Sequence, residues 1–250
     1  MTESDARTPI AVVTGAATGL GRSFAVRLAE LGHAVGVCDL LDCADTVSAI
    51  RRTGGTAFGA RADVSDPADV TAFAGKVHDE LGPVGVLVNN VGISPYAAFT
   101  DITFEQWRTV MSVNLDSLFL MTRAFLDDMI AAGRGRVVNM SSAIGWDPHS
   151  TEMVHYATSK LGVVGFTRSL AGEIGRYGVT VNCIAPGLVA TPALRERVPA
   201  QRWVELRERQ SVHRTLEPSD LLAALDYLVS PGAEMVTGTV LPVNGGRVWL

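Results

Sequence analysis

The sequence predicts an α/β fold: a single domain on a doubly wound parallel sheet of about seven strands, with helices on both faces. Three observations carry this. Apolar runs of strand length alternate with helical patterns along the chain. Several runs are continuous in Val, Leu and Ile, as in strands buried on both faces. A glycine-rich turn joins the first strand to the first helix.

The strands are read in order. Ile10–Thr14 is short and β-rich, and Ala34–Asp39 and Thr56–Arg61 follow it. Val84–Asn89 is continuous in Val and Leu, and Arg136–Met140 and Val179–Ile184 repeat that type. Thr239–Val243 is the last strand, before Gly245-Gly246. Helical periodicity fills the gaps at Leu20–Leu31, Pro67–Leu81, Phe104–Ala132, Val154–Tyr177 and Pro218–Val229. Such alternation requires right-handed crossovers. No linker or internal repeat divides the chain, and residues 1–8 read as a flexible tail. Residues 191–216 interrupt the alternation with Arg195, Arg197, Arg202, Arg207 and Arg209. They read as a solvated amphipathic segment or as a lid over the carboxyl ends of the strands.

Composition narrows the function. The 250 residues are 47% hydrophobic and 19% charged, with net charge −5, so there is no general basic field for nucleic acid or an acidic membrane. Cys38, Cys43 and Cys183 are scattered and odd in number, which argues against a disulfide framework or zinc site and fits a reducing compartment. The polar, acidic start is unlike a signal peptide, and no apolar run approaches the ~20 residues that span a bilayer. The expectation is a soluble, cytoplasmic protein with a small-molecule substrate.

Thr14-Gly15-Ala16-Ala17-Thr18-Gly19-Leu20-Gly21 follows the first strand and opens the first helix. Glycine lets backbone approach a pyrophosphate, and the helix N-terminus offers N–H groups and a positive dipole end. Asp39 ends the second strand 18 residues beyond Gly21, near the ~20-residue spacing at which a carboxylate meets the adenosine ribose. A carboxylate there accepts from ribose hydroxyls and repels a 2′-phosphate. Leu40, Ala17 and Thr18 add no positive charge, so NAD is favoured over NADP. Tyr156 and Lys160 stand i, i+4 in a helical pattern and share a face. A free tyrosine has a pKa near 10, and a nearby ammonium favours the phenolate. No His, Asp, Glu or Cys cluster has metal-ligand spacing.

The loop spacing Gly15-x-x-x-Gly19-x-Gly21, with Asp63-Val64, Asn89-Asn90-Val91-Gly92, Asn114, Ser142, Tyr156-x-x-x-Lys160, Pro186-Gly187 and Thr191, resembles the short-chain dehydrogenase/reductase family with its Rossmann-type sheet. The likeness runs from Pro9 to Gly246. It implies that Asp63 and Val64 flank the adenine, that Asn89 to Gly92 line the nicotinamide side, and that Val189 with Thr191 holds the carboxamide. It assigns Gly15, Thr18, Gly19, Leu20, Gly21, Pro186 and Gly187 to the cofactor as well. Tyr156 becomes the acid–base residue, Lys160 its partner and a ribose contact, and Ser142 the group orienting the substrate oxygen. Ser142 stands one residue further from Tyr156 than the family's usual spacing, and Ser141 two. Asn114 would hold a water that links Lys160 to solvent. Val91 replaces the family's usual Ala. His155 falls on another helix face and reads as structural.

The stretches Ile93-Ser94-Pro95-Tyr96 and Thr103-Phe104-Glu105-Gln106-Trp107 are similar to NAD-linked dehydrogenases of 1-phenylethanol. The expected activity is hydride transfer between NAD(H) and a hydrophobic secondary alcohol or ketone. Ile93, Tyr96, Ile144, Trp146, Met153, Leu188, Leu194 and Trp203 are the candidate substrate pocket. An NADPH-dependent 3-oxoacyl-thioester reductase is the alternative, with the lid arginines taking phosphates. A non-catalytic dinucleotide sensor is the second. Family likeness also implies a homotetramer paired through Phe104–Ala132 and Val154–Tyr177.

Overall fold

A computed structural model describes residues 9–147 and 150–249. The tail reading for residues 1–8 lies outside the described residues. Seven strands form one all-parallel sheet in the order β3-β2-β1-β4-β5-β6-β7. They are β1 Ile10–Thr14, β2 Val35–Asp39, β3 Ala57–Arg61, β4 Val84–Asn89, β5 Gly135–Met140, β6 Val179–Pro186 and β7 Val240–Val243. The predicted strands stand within two residues at either end. β6 runs on to Pro186 because it pairs with β7 through Pro186 and Val243.

The helices are α1 Gly19–Glu30, α2 Ala44–Arg52, α3 Pro67–Glu80, α4 Phe104–Met111, α5 Ser117–Ala132, α6 Val154–Ile174, α7 Pro192–Arg197, α8 Ala200–Glu208 and α9 Leu222–Val229. Three differences from the sequence reading have physical causes. First, α2 has no counterpart in the sequence reading: it is only nine residues long, with Val47 and buried Ile50 on its packed face and Thr46, whose hydroxyl donates to the Ala16 carbonyl at 2.7 Å. Second, the predicted helix over residues 104–132 is broken by a π-helical turn at Ser112–Asp116, centred on Asn114. Such bulges interrupt helices where a side chain must be re-aimed. Third, the segment read as a candidate lid forms two short helices, α7 and α8.

Successive strand residues face opposite ways. Ala11, Val13, Val86 and Val88 pack with Phe24, Leu28, Leu225 and Leu228 of α1 and α9. Val12, Leu87, Val137 and Val181 pack with Phe73, Val77, Met121, Phe125 and Ile174 of α3, α5 and α6. Between the layers runs a polar ladder: buried Asn89 donates to Asn139 at 2.9 Å, and Asn139 donates to Thr167 at 3.0 Å. The strand order reverses between β1 and β4, so a crevice opens at their carboxyl ends, the usual ligand position in this architecture.

Candidate active site

The carboxyl edge of the sheet holds a cleft of about 490 Å³. Its inner end is built from Ser142 after β5, Tyr156 and Lys160 on α6, and Asn90 and Gly92 after β4. Lys160 is buried, and its ammonium donates to the Met140 carbonyl at 2.8 Å and lies 5.9 Å from the Tyr156 ring centre. Burial lowers its pKa to about 8. A Cβ on Gly92 would sit 3.0 Å from Lys160 Nζ, so glycine there leaves room for the ammonium. The half-buried Tyr156 phenol is pushed up by desolvation and drawn down by a hydrogen bond with Ser142 and by the charge of Arg197.

The two serines take different places. Ser141 is buried and donates to the Lys160 carbonyl at 2.8 Å. Ser142 accepts from the Ile144 amide at 3.2 Å and keeps its own proton free for Tyr156 or a ligand. Asn114 is wholly buried: its amide donates to the Ile93 carbonyl and to Ser159, both at 2.9 Å, and its oxygen accepts from the Ile93 amide at 2.8 Å. With both amide protons and the oxygen engaged by protein, the side chain clamps the β4 loop onto α6.

The glycine loop lies beside this pair. A Cβ on Gly21 would come within 2.1 Å of the Gly15 carbonyl oxygen, so α1 begins packed directly on the loop. Asn90 ties loop to sheet: its amide group donates to the Thr14 and Gly15 carbonyls at 3.0 and 3.1 Å. Thr14 Oγ1 accepts from the amides of Asn90 and Val91. Thr18 starts α1 without a side-chain cap, whereas Asp66, Thr103 and Thr191 cap α3, α4 and α7. The first-turn amides of α1 have no side-chain acceptor, as in α2, α5, α6, α8 and α9, and the glycine loop in front of them leaves room for an anionic group. Asp39 accepts from the Ala17 and Leu41 amides, both at 3.0 Å. Asp63 accepts from Ser65, Val64 is buried in the core, and buried Val189 bridges to Leu216. Leu20, Pro186, Gly187, Val189 and Thr191 line the cleft. Asn89 does not; it belongs to the buried ladder.

Of the candidate substrate residues, Tyr96, Ile144, Met153, Leu188 and Leu194 line the cleft. Three do not. Ile93 is fixed by its backbone to Asn114 outside the wall. Trp146 packs on Leu118, Val163 and Cys183. Trp203 donates to the Val198 carbonyl at 3.2 Å and braces the lid. The expectation of apolar walls is corrected too, because Ser94, Thr151, Glu152, Arg197, Arg202 and Arg247 line the outer cleft. Arg247 comes from beyond β7, and it and Arg209 both pair with buried Asp147. Nothing in the local sequence pattern marks Arg247, because its place in the cleft depends on long-range packing.

A parallel α/β sheet with a glycine loop at its switch point and a Tyr–Lys pair opposite defines a nicotinamide-dinucleotide oxidoreductase. The family described as short chain dehydrogenase matches residues 9–202, and the chain belongs to it. The chain is 37% identical to (2S)-[(R)-hydroxy(phenyl)methyl]succinyl-CoA dehydrogenase subunit BbsD of Thauera aromatica, covering 95% of this chain and 96% of that one. It is 34% identical to the 3-oxoacyl-[acyl-carrier-protein] reductase FabG of Vibrio cholerae, with 95% and 96% covered. A variant of actinorhodin polyketide ketoreductase solved with NADPH superposes with a TM-score of 0.90 at 35% identity, covering 96% of this chain and 97% of that one. Among the described residues no helix is long and apolar enough to cross a membrane.

Proposed function

We propose that the chain oxidises a secondary alcohol, or reduces the matching ketone, with NAD(H) as cofactor. The observation that carries this reading is the convergence of Tyr156, Ser142 and buried Lys160 at the inner end of the cleft, beside the uncapped α1 loop. The bound dinucleotide supplies or accepts the hydride at its nicotinamide ring. Ser142 donates to the substrate oxygen and orients it. In oxidation the Tyr156 phenolate takes the hydroxyl proton as the carbinol hydride leaves and the carbonyl forms. In reduction the phenol returns that proton to the oxygen. Lys160, held by the Met140 carbonyl, favours the phenolate through its charge. Asn114 positions the β4 loop against α6.

The adenosine end supports NAD through Asp39, although Arg61 faces Asp39 in register at the end of β3. Tyr96, Ile144, Met153, Leu188 and Leu194 support an apolar, cyclic or aryl body next to the carbinol. Relatives acting on thioesters make the 3-oxoacyl-thioester the second reading, favoured by the arginines of the outer cleft. Exposed Phe104, Phe119, Val154 and Leu161 on α4, α5 and α6 support a homotetramer, which light scattering after gel filtration checks. The three free, buried cysteines suit the cytoplasm. The deciding experiment follows NAD reduction with 1-phenylethanol, cyclic secondary alcohols and 3-hydroxyacyl thioesters. Tight NADH binding without turnover of any of them would favour a sensor instead.

A further inference from the structure

Six arginines lie between residues 191 and 216, and five have a carboxylate in ion-pair range. Arg195 meets Glu217, Arg202 meets Glu205, Arg207 meets Glu208, Arg209 meets Asp147 and Arg214 meets Asp220. Among the described residues Arg197 has none. Its guanidinium donates instead to the Ser94 hydroxyl at 3.1 Å, which spans the cleft from α7 to the loop after β4. Both residues line the cleft that holds Tyr156, and the charge of Arg197 reaches the phenol. Two more cations, Arg202 and Arg247, stand in the same wall. The Arg247 side chain is only 7% exposed, and among the described residues its Nε has no hydrogen-bond partner. Asp147 takes both Arg209 and Arg247, so its single negative charge faces two positive ones.

An unpaired guanidinium facing a ligand cleft is suited to a planar oxyanion, which it can bind through two parallel N–H donors. The nearby hydroxyl of Ser94 fixes its direction without neutralising it. Tyr96, Ile144, Met153, Leu188 and Leu194 give the cleft an apolar part, and Arg197, Arg202 and Arg247 outnumber Glu152 in its lining, so it matches a ligand with an apolar body and one negative end.

We propose that Arg197, fixed by Ser94, is a specificity-determining residue that binds an oxyanion carried by the substrate at the end remote from the carbinol. The substrate class is then a hydroxy acid or its oxo counterpart, or a thioester whose phosphate takes the same place. This rests on the hydride-transfer reading for the word substrate, but binding of the anion can be measured without turnover.

Two assays test it. First, calorimetry measures cyclohexanecarboxylate binding to wild-type protein saturated with NADH, and to Arg197→Gln and Arg197→Lys. The expected result is about 10- to 100-fold weaker binding in Arg197→Gln, with part of the affinity recovered in Arg197→Lys. Equal binding to all three proteins, or none to wild type at millimolar concentration in both this ligand and 3-hydroxyacyl thioesters, overturns the proposal. Second, kcat/KM is compared for 4-hydroxycyclohexanecarboxylate against cyclohexanol, and for a 3-hydroxyacyl-coenzyme A against its pantetheine analogue lacking phosphate. A preference for the charged member that collapses in Arg197→Gln supports the assignment, and the pair showing it identifies carboxylate or phosphate as the source. A ratio unmoved by the substitution overturns it. If no alcohol is turned over, the hydride-transfer reading fails, and calorimetry alone decides the oxyanion site.

Discussion

The carboxylate of Asp39 accepts a 3.0 Å hydrogen bond from the backbone amide of Ala17, so the acid at the end of β2 is bolted to the glycine loop. Its other oxygen takes the Leu41 amide. On the proposed reading this fixes the carboxylate where it meets an adenosine ribose. Asp39→Ala should lower the preference for NAD over NADP, measured as the ratio of kcat/KM values on one substrate. Arg61, the register partner of Asp39, is then the available cation for a 2′-phosphate. Asp39→Ala/Arg61→Ala should lose whatever NADP activity the single variant gains. A wild-type preference for NADPH would overturn the reading of Asp39.

The neighbouring serines allow a sharper test of the site. Ser141 is buried against the carbonyl of Lys160, whereas Ser142 faces the phenol. Ser142→Ala should lower kcat with little effect on stability. Ser141→Ala should lower the unfolding free energy by about 1–2 kcal/mol for the lost buried hydrogen bond, with a smaller effect on kcat. Tyr156→Phe should reduce turnover by about 10²–10⁴-fold while NADH still binds. Near wild-type turnover in Tyr156→Phe would end the proposed mechanism.

Burial of Lys160 makes a prediction about stability. Its folded pKa of about 8 lies below the 10.5 of a free lysine, so the folded chain releases this proton first. Between about pH 8 and 10.5 the unfolded chain binds more protons, and stability contributed by this group must rise with pH. Two and a half pKa units correspond to roughly 3 kcal/mol across that window. Urea unfolding at pH 7.5 and 10 should therefore show wild type gaining on Lys160→Met as pH rises. A constant difference would mean that the lysine titrates normally.

The strands, the glycine loop and the Tyr–Lys pair were legible because each has a local signature: continuous Val and Leu, glycines at a strand end, an i, i+4 spacing. The lost parts depend on distant residues. α2 is anchored by Thr46 reaching the carbonyl of Ala16, 30 positions away, and its nine residues are too short for a sustained helical repeat. The π-helical turn exists because Asn114 must meet both Ile93 and Ser159. Trp146 and Trp203 looked like pocket residues by type, yet one fills a core cluster and the other braces the lid backbone. The cationic outer wall is assembled from the lid and the chain beyond β7, and no spacing rule joins Arg197 to Arg247.

Arg197 also gives the pH profile a direction. Its charge lowers the pKa of Tyr156, against the larger rise from desolvation. In alcohol oxidation Tyr156 must be ionised to accept the hydroxyl proton, so the rate climbs with pH through its pKa. Removing the positive charge in Arg197→Gln raises that pKa and moves the ascending limb of kcat to higher pH, while Arg197→Lys should keep it nearer its wild-type position. The comparison is made with a neutral alcohol, so that loss of an anion contact does not enter. A purely structural role for Arg197 in holding α7 to Ser94 predicts something else: both variants lose amplitude and the limb stays where it is. A limb that moves to lower pH in Arg197→Gln would contradict the electrostatic coupling between lid and phenol.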